Sequence, residues 1–269
     1  MINQNRIETD LKKLGVNEVM VLALHSSLSK IGQVDGGPDT IVKAFLSVLG
    51  ESGTLMVPVF TYSFADLPFA TGEPFNLEKT KSRVGIITES VRNYPGAIRS
   101  FHPTHSVSVI GKFSNELTRD HLASSPLGIE SPFHRLTKLD GNIMLLGVDH
   151  RASSIIHTAE VMAGLPYINI TFTPDRDHEK AIIVREGKKV VGLDIYESPG
   201  CSRGFGKVEE VLDSAGLIKR GKIGEADSQI FSARDTLECL VSHLKKHPSA
   251  FLCDVEDCDI CNRRRESLM

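Results

Sequence analysis

The sequence predicts an α/β protein. Three features indicate this fold class: an apolar run of strand length at Val19–Leu24, a helix that Pro38 opens and Gly50 ends, and a second apolar run from Thr54. A strand, a helix and a strand in this order form a βαβ unit, in which the strands lie parallel and the helix crosses over between them. The chain shows no linker, repeat or low-complexity stretch, so we expect a single domain over residues 1–269.

The remaining elements can be assigned in chain order. A first helix over Ile7–Leu14 should end at Gly15, a residue typical of helix C-termini. Beyond the second strand we predict a helix over Val84–Tyr94, a strand over Val107–Ile110, a helix containing Leu136 and Leu139, a strand at "NIMLLGV" and a helix over Ser153–Ala163. The alternating segment "AIIVREGKKVVGLDIY" predicts an antiparallel hairpin with Glu-Gly-Lys-Lys at its turn. Two helices, over Val208–Ala215 and Ala233–Lys246, complete the prediction.

Composition and charge exclude several classes of protein. The net charge of −3 gives no basic field for nucleic acid. No apolar run approaches the ~20 residues that cross a bilayer. The opening "MINQNRIETDLKKLG" lacks the apolar core of a secretion signal. We therefore expect a cytoplasmic protein without nucleic-acid or membrane partners, and its oligomeric state stays open.

The loop "HSSLSKIGQVDGGP" lies between a buried strand and the start of a helix, where open α/β sheets usually bind ligands. Its serine hydroxyls could donate to an anion, and its glycines allow a ligand to approach the backbone. The loop is neither a Walker motif nor a dinucleotide fingerprint. A plain polar connection explains it equally well.

Two short segments carry histidines that could do chemistry. In "SFHPTHSV", Pro103 disfavours a helix around His102 and His105, and the segment could be a metal site, a catalytic site or a polar turn. In "SSIIHTAE", His157 and Glu160 are i, i+3 neighbours on a helix and could act as a base and its orienting carboxylate. No G-x-S-x-G or H-E-x-x-H motif is present. Taken alone, each segment is better explained by an ordinary polar contact.

Six blocks occur together in order: "HSSLSKIG…GGP", "GTLMVPVFT", "SRVGIITESVRNYPGAIRSFHPTHSVSVIG", "PLGIESPFHRL", "LDGNIMLLGV" and "SSIIHTAEVMAGLPY". As a set they resemble the aminoglycoside 3-N-acetyltransferase family, closely over Leu24–Tyr167 and more loosely up to the C-terminal helix. The resemblance implies an α/β/α sandwich of that family's type. It also implies transfer of an acetyl group from acetyl-CoA to the 3-amino group of an aminoglycoside.

The resemblance assigns roles to residues of these blocks. His157 would be the catalytic histidine with Glu160 beside it, and His105 is a second catalytic candidate. Residues implied to bind the cofactor are His25, Ser26, Ser27, Leu28, Ser29, Gly32, Gly36, Thr104 and Ser106. These roles suit the chemistry, because an amine attacks a thioester only when unprotonated and therefore needs a base. Backbone N–H groups or the Thr104 and Ser106 hydroxyls could stabilise the carbonyl oxygen. Transfer would be direct, since these motifs contain no cysteine.

The acceptor is the less determined partner. Many relatives have Asn-Thr where this chain has Ser153-Ser154. A site for polycationic aminoglycosides needs several carboxylates. Candidates are Asp66, Glu73, Glu78, Glu160, Asp175 and Asp177, and we predict Asp66, Glu73, Asp175 and His102 as substrate-binding. An amino sugar or other biosynthetic amine is the alternative acceptor. A CoA-binding protein without turnover is the alternative class, although the presence of both His157 and Glu160 argues against it.

Three of the five cysteines lie at the end of the chain, in "CDVEDCDIC". The spacing of Cys253, Cys258 and Cys261 matches part of an iron–sulfur motif, but no fourth cysteine follows. A zinc site would need Cys201, Cys239 or His247 as its fourth ligand. We expect reduced thiols and no metal, with zinc as the alternative.

Overall fold

A computed structural model gives the fold of the chain. It describes residues 1–61, 75–170 and 199–269, together with strands at 180–185 and 188–194. The described strands are β1 Val21–Ser26, β2 Thr54–Pro58, β3 Phe75–Asn76, β4 Ile98–Arg99, β5 Val107–Gly111, β6 Asn142–Leu146, β7 Lys180–Arg185, β8 Lys188–Asp194, β9 Lys219–Ile223 and β10 Ala226–Ser232.

Seven of these strands form the main sheet, in the order β4-β5-β2-β1-β6-β10-β9. Its centre is parallel: Ala23 of β1 pairs with Met56 of β2, and Ser26 at the end of β1 pairs with Leu146 at the end of β6. The outer strands are antiparallel to their neighbours. The predicted βαβ unit is therefore confirmed, and the carboxyl ends of the central strands meet at one edge of the sheet.

Helices cover both faces of the main sheet. They are α1 Gln4–Leu14, α2 Leu28–Ile31, α3 Gly37–Leu49, α4 Ile86–Arg92, α5 Ser114–Thr118, α6 Pro132–Lys138, α7 Ile155–Met162, α8 Val208–Ser214, α9 Ala233–Lys246 and α10 Asp259–Glu266. Along β1, Leu22 and Leu24 face the core beneath α1 and α3, whereas Val21 and Ala23 face the core beneath α6, α7 and α9. This alternation buries both faces of the strand, and it confirms the predicted α/β/α sandwich.

The predicted hairpin is present as β7 and β8, which pair antiparallel in a separate three-stranded sheet with β3. Lys188 and Lys189, which the prediction placed in the turn, belong to β8. The sequence prediction missed the hairpin of β9 and β10, which extends the main sheet. Most residues of β9 are exposed at the sheet edge, so the strand lacks the apolar alternation that would indicate it.

Three helices were also missed, one of them α5, a helix of 5 residues that follows β5. The loop after β1 contains one helical turn, α2, and the chain ends in α10, whose sequence "DICNRRRE" is charged on most sides. Charged helices of this kind show little apolar periodicity and are hard to recognise from sequence. None of the described helices has the length and apolarity needed to cross a membrane.

Candidate active site

A cleft of about 1030 Å³ opens at the carboxyl edge of the main sheet. It is lined by His25 and Ser26 at the end of β1, by Pro58 at the end of β2 and Phe60 beyond it, and by the turn Gly147–Asp149 after β6. Parallel strands bring their ends together at such an edge, which is where ligands of open α/β sheets usually bind. The volume slightly exceeds the ~300–1,000 Å³ of most small-molecule sites, so two co-substrates can be accommodated.

Helix α7 places one histidine on the wall of this cleft. The His157 side chain keeps 11% of its surface exposed, and its Nδ1 lies 2.7 Å from Oε2 of the buried Glu160. The i, i+3 spacing on a helix puts the two side chains on the same face. Because the carboxylate accepts the hydrogen bond, Nδ1 carries the proton and Nε2 can accept one. The ring also packs at 4.6 Å from Phe205.

Glu160 has a second partner in the C-terminal helix. Arg264 of α10 is buried, and its Nη1 lies 3.5 Å from Oε1 of Glu160. Its guanidinium group also donates to the Ile170 carbonyl at 3.1 Å and lies 5.0 Å from the centre of the Tyr167 ring. A buried carboxylate needs such a counter-charge, so α10 supports the His157–Glu160 pair. No local pattern in the sequence links these residues.

The histidines of "SFHPTHSV" have different surroundings. His102 Nδ1 accepts hydrogen bonds from the backbone N–H groups of Thr104 at 3.2 Å and His105 at 3.0 Å. Its proton is therefore on Nε2. Burial is the main cause that holds the pKa of both His102 and His105 well below the ordinary value, and neighbouring histidines add to it. Both rings are neutral near pH 7, and the segment is a folded polar turn.

This turn lies behind the wall of the cleft. His105 packs edge-on at 4.9 Å against Phe60, whose ring lines the cleft, and His105 itself is not among the described lining residues. The Ser106 hydroxyl donates to the Val59 carbonyl at 2.9 Å and accepts from Arg99 at 3.0 Å. The structure therefore argues against Ser106 as a cofactor or oxyanion donor, because its single O–H already has an acceptor.

Thr104 and His102 are likewise buried away from the described lining of the cleft. The Thr104 hydroxyl lies 2.8 Å from His105 Nδ1 and 3.2 Å from His102 Nδ1. These bonds stabilise the turn, and the geometry does not support a contact between Thr104 and the cofactor or between His102 and the acceptor. The hydroxyls and rings satisfy one another inside the fold, and the roles of His102, Thr104, His105 and Ser106 in binding and catalysis stay predictions.

At the end of β1, the predicted cofactor residues do reach the cleft. His25 stacks on Phe133 at a ring distance of 5.7 Å, and burial lowers its pKa to about 4. His25 Nε2, Ser26 Oγ and Ser153 Oγ are buried and have no hydrogen-bond partner among the described residues. Buried polar atoms almost always have a partner. All three residues line the cleft.

The rest of the predicted loop lies elsewhere. Ser27, Leu28, Ser29, Gly32 and Gly36 are not among the described residues that line the cleft, because α2 turns this part of the chain away. Gly32 has a φ of 97°, and a Cβ there would come within 2.8 Å of the Glu225 carboxyl carbon. The fold therefore requires a glycine at position 32. The member of this loop that the prediction omitted, Lys30, does line the cleft.

Most of the predicted acceptor carboxylates lie where the structure does not describe the chain, so their role stays a prediction. Asp66, Glu73, Asp175 and Asp177 lie outside the described residues, and Glu78 is exposed beyond the described cleft lining. Glu160 is occupied by His157 and Arg264. Among the described residues, the carboxylates on the cleft are Asp149, Glu209, Glu225 and Asp227, and its cations are Lys30, Arg151 and Arg220. Sequence reasoning missed all seven, since none belongs to a recognisable motif.

Comparison with known proteins identifies the family. The sequence model described as aminoglycoside 3-N-acetyltransferase matches residues 23–245. The chain belongs to this family. Aminoglycoside N(3)-acetyltransferase VII of Streptomyces paromomycinus is 30% identical over 271 residues, covering 91% of this chain and 92% of the relative. Aminoglycoside N(3)-acetyltransferase IX of Micromonospora chalcea is 31% identical over 257 residues, covering 86% of this chain and 89% of the relative.

Solved structures of the aminoglycoside 3-N-acetyltransferase family agree with this fold. The apoenzyme of aminoglycoside acetyltransferase AAC(3)-IVa superposes with a TM-score of 0.85 at 28% identity, covering 99% of this chain and 97% of that chain. YokD from Bacillus subtilis superposes with a TM-score of 0.78 at 27% identity, covering 92% of this chain and 95% of that chain. The resemblance inferred from the six sequence blocks is confirmed, and so is the interpretation of the chain as an acyltransferase-type enzyme.

Proposed function

We propose that this protein transfers the acetyl group of acetyl-CoA to the 3-amino group of an aminoglycoside, with His157 as general base. The observation that supports this proposal most strongly is the His157–Glu160 pair on the wall of the cleft. Glu160 holds Nδ1 of this cleft-lining side chain, which leaves Nε2 to take a proton. Family membership supports the same reaction type.

His157 and Glu160 have different roles in this reaction. His157 Nε2 removes a proton from the acceptor nitrogen while that nitrogen forms its bond to the thioester carbonyl carbon. The Glu160 carboxylate holds Nδ1–H, so that the ring keeps the required tautomer and its positive charge is stabilised. When the carbon–sulfur bond breaks, the same proton can return from His157 to the leaving sulfur. No covalent enzyme intermediate is required.

The described wall suits CoA as co-substrate. His25 Nε2, Ser26 Oγ and Ser153 Oγ would bind its polar groups, since they are buried without partners. Lys30 lines the cleft and makes no ion pair with another described residue, so it can meet a phosphate. Arg151 and Arg220 are already paired, with Asp149 at 2.5 Å and Asp213 at 2.6 Å respectively. Lys30 is therefore the cation that we assign to CoA.

An aminoglycoside fits the acidic part of the cleft. Four carboxylates line that wall: those of Asp149, Glu209 and Asp227 already pair with Arg151, Arg220 and Lys222, whereas Glu225 pairs with no cation among the described residues. Glu225 is therefore the carboxylate that we assign to a polycationic acceptor. Structures of AAC(3)-IVa in complex with a gentamicin and with apramycin, both of histidine-to-alanine mutants, match this chain with TM-scores of 0.84 and 0.76. That enzyme's ligands support an aminoglycoside acceptor here.

Thiol release from acetyl-CoA tests the proposal directly. Gentamicin, apramycin and glucosamine are compared as acceptors at matched concentrations, and the site of acetylation is located by NMR. For a dedicated aminoglycoside substrate, kcat/KM should reach about 10⁴ M⁻¹s⁻¹ or more. Faster transfer to glucosamine than to both drugs would favour the amino-sugar alternative. CoA binding without thiol release from any amine would favour a non-catalytic protein.

A further inference from the structure

Four cysteines from distant parts of the chain meet in one cluster. Cys201 precedes the short 3₁₀ turn Arg203–Lys207, Cys253 and Cys258 precede α10, and Cys261 lies in its first turn. Their sulfur atoms all lie within 4.8 Å of one another, and all four residues are buried. Cys201 is therefore the fourth ligand that the spacing of the other three lacked. We propose that this cluster binds one zinc ion.

The distances fit a tetrahedral zinc site. Four sulfurs at about 2.3 Å from a zinc ion stand about 3.8 Å apart at the corners of a tetrahedron. The Cys201 and Cys253 sulfurs are 3.8 Å apart. A disulfide would need about 2.05 Å. An iron–sulfur cluster binds its thiolates through different iron atoms, which spreads the sulfurs wider than a single ion does. A mononuclear site is therefore the best match, and zinc is its common occupant.

The surrounding backbone is shaped for such a site. The N–H of Arg203 donates to the Cys201 sulfur at 3.4 Å, a bond that stabilises a thiolate ligand. The segments that carry Cys201 and Cys253 approach very closely at Gly204, where a Cβ would come within 2.3 Å of the Phe251 carbonyl oxygen. Only glycine permits this approach, so the fold itself brings the two cysteines together.

The nearby charges suit a tetrathiolate metal site. Four thiolates around a zinc ion carry a net charge of −2. Lys207 donates to the Leu252 carbonyl at 3.1 Å, and Arg265 donates to the Cys253 carbonyl, so two cations lie close enough to offset part of that charge.

The site would support the His157–Glu160 pair. Cys261 and Arg264 are one helical turn apart on α10, and Arg264 is the counter-charge of Glu160. Phe205, four residues after Cys201, packs on the His157 ring. A metal ion at this position would link the segment that carries Phe205 to the helix that carries Arg264, and these two residues contact His157 and Glu160. It touches no reacting atom, and its role is one of positioning.

Metal content of the purified full-length chain tests the proposal. After purification without added metal or chelator, mass spectrometry of the elements should find about one zinc per chain. Cys258→Ser should lose this zinc, and Cys239→Ser, which changes a cysteine of α9 outside the cluster, should keep it. The measurement does not depend on acetyl transfer, so its failure is separable from failure of the proposed function.

Cobalt substitution gives an answer that needs no variant. The wild-type protein refolded with Co²⁺ should show the sulfur-to-cobalt charge-transfer and ligand-field bands of a tetrahedral tetrathiolate site. Wild-type protein with no zinc and no such bands would overturn the proposal. One iron per chain, or zinc fully retained in Cys258→Ser, would overturn it as well.

Discussion

The turn around His102 and His105 and the helix α7 around His157 look alike as sequence motifs but differ in their chemistry. Both combine histidines with hydroxyl or carboxyl neighbours. In the turn, His102 accepts from two backbone N–H groups, and the Thr104 hydroxyl lies within hydrogen-bond distance of both rings. In α7, His157 binds a carboxylate on one nitrogen and reaches the cleft with the rest of the ring.

The difference supports the general-base role that we propose for His157 and a structural role for the histidines of the turn. Burial keeps the histidines of the turn neutral over the physiological range, so they act as fixed hydrogen-bonding groups. His157 instead has access to solvent, a buried carboxylate to stabilise its charged form, and an arginine that neutralises that carboxylate. The comparison predicts that substitutions in α7 strongly lower turnover and that substitutions in the turn lower stability.

The largest effect is expected from His157→Ala. Loss of a general base typically lowers the rate by about 10²–10⁴-fold, and kcat should fall by that amount while the affinity for CoA changes little. Steady-state kinetics and calorimetric titration of CoA measure the two quantities. His247→Ala, an exposed histidine after α9, is the matched control and should keep the wild-type rate. A His157→Ala rate near wild type would remove the distinction between the two regions.

Arg264→Met should cost about 3–5 kcal/mol of unfolding free energy, because it leaves the buried Glu160 carboxylate without its partner. Urea unfolding measures the loss. Arg263→Met on the same helix should change stability far less, since Arg263 pairs with the exposed Asp259. Adding Glu160→Gln to Arg264→Met should recover much of the stability but none of the activity. Equal stability of the two arginine variants would contradict the role of Arg264.

In the turn, His102→Ala should reduce stability by about 1–3 kcal/mol, because two buried backbone N–H groups lose their acceptor. His102→Asn should lose less, since an asparagine oxygen can accept from N–H groups two and three residues on. Turnover per folded molecule should change only a few-fold in both. A large loss of kcat in a fully stable His102→Ala protein would place this histidine in the chemistry.

Acid should destabilise the protein between about pH 6.5 and pH 4. Burial is the main cause that lowers the pKa of His25 and His121 to about 4 in the folded state, from an ordinary value of 6.5. Within this window the unfolded chain binds more protons, so stability is complete above pH 6.5 and falls as the pH drops. Each such histidine contributes up to about 1.4 kcal/mol per pH unit. Urea unfolding at pH 7, 6 and 5 measures the slope, and a flat profile would show that these rings are accessible.

Much of this picture could be predicted from sequence, and the reasons are local. The β1–α3–β2 unit follows from apolar runs and helix-ending residues, and the His157–Glu160 pair follows from i, i+3 spacing. The contact of Arg264 with Glu160, the edge strand β9 and the choice of Cys201 among the three candidate fourth ligands could not be predicted. Each depends on contacts between distant segments, which leave no periodic pattern in the sequence. The hydrogen bonds within "HPTHS" and its packing on the Phe60 ring could not be predicted for the same reason, since both are fixed only by folding.

The central claim is that Glu160 acts through His157, and a double-mutant cycle tests it most directly. We would measure kcat with acetyl-CoA and gentamicin for His157→Ala, Glu160→Gln and the double variant, after confirming that each is folded. If Glu160 acts only through His157, the double variant should be no slower than His157→Ala, because Glu160 has no further role in the chemistry without the imidazole ring. Losses that multiply in the double variant would contradict it and give Glu160 a catalytic role of its own.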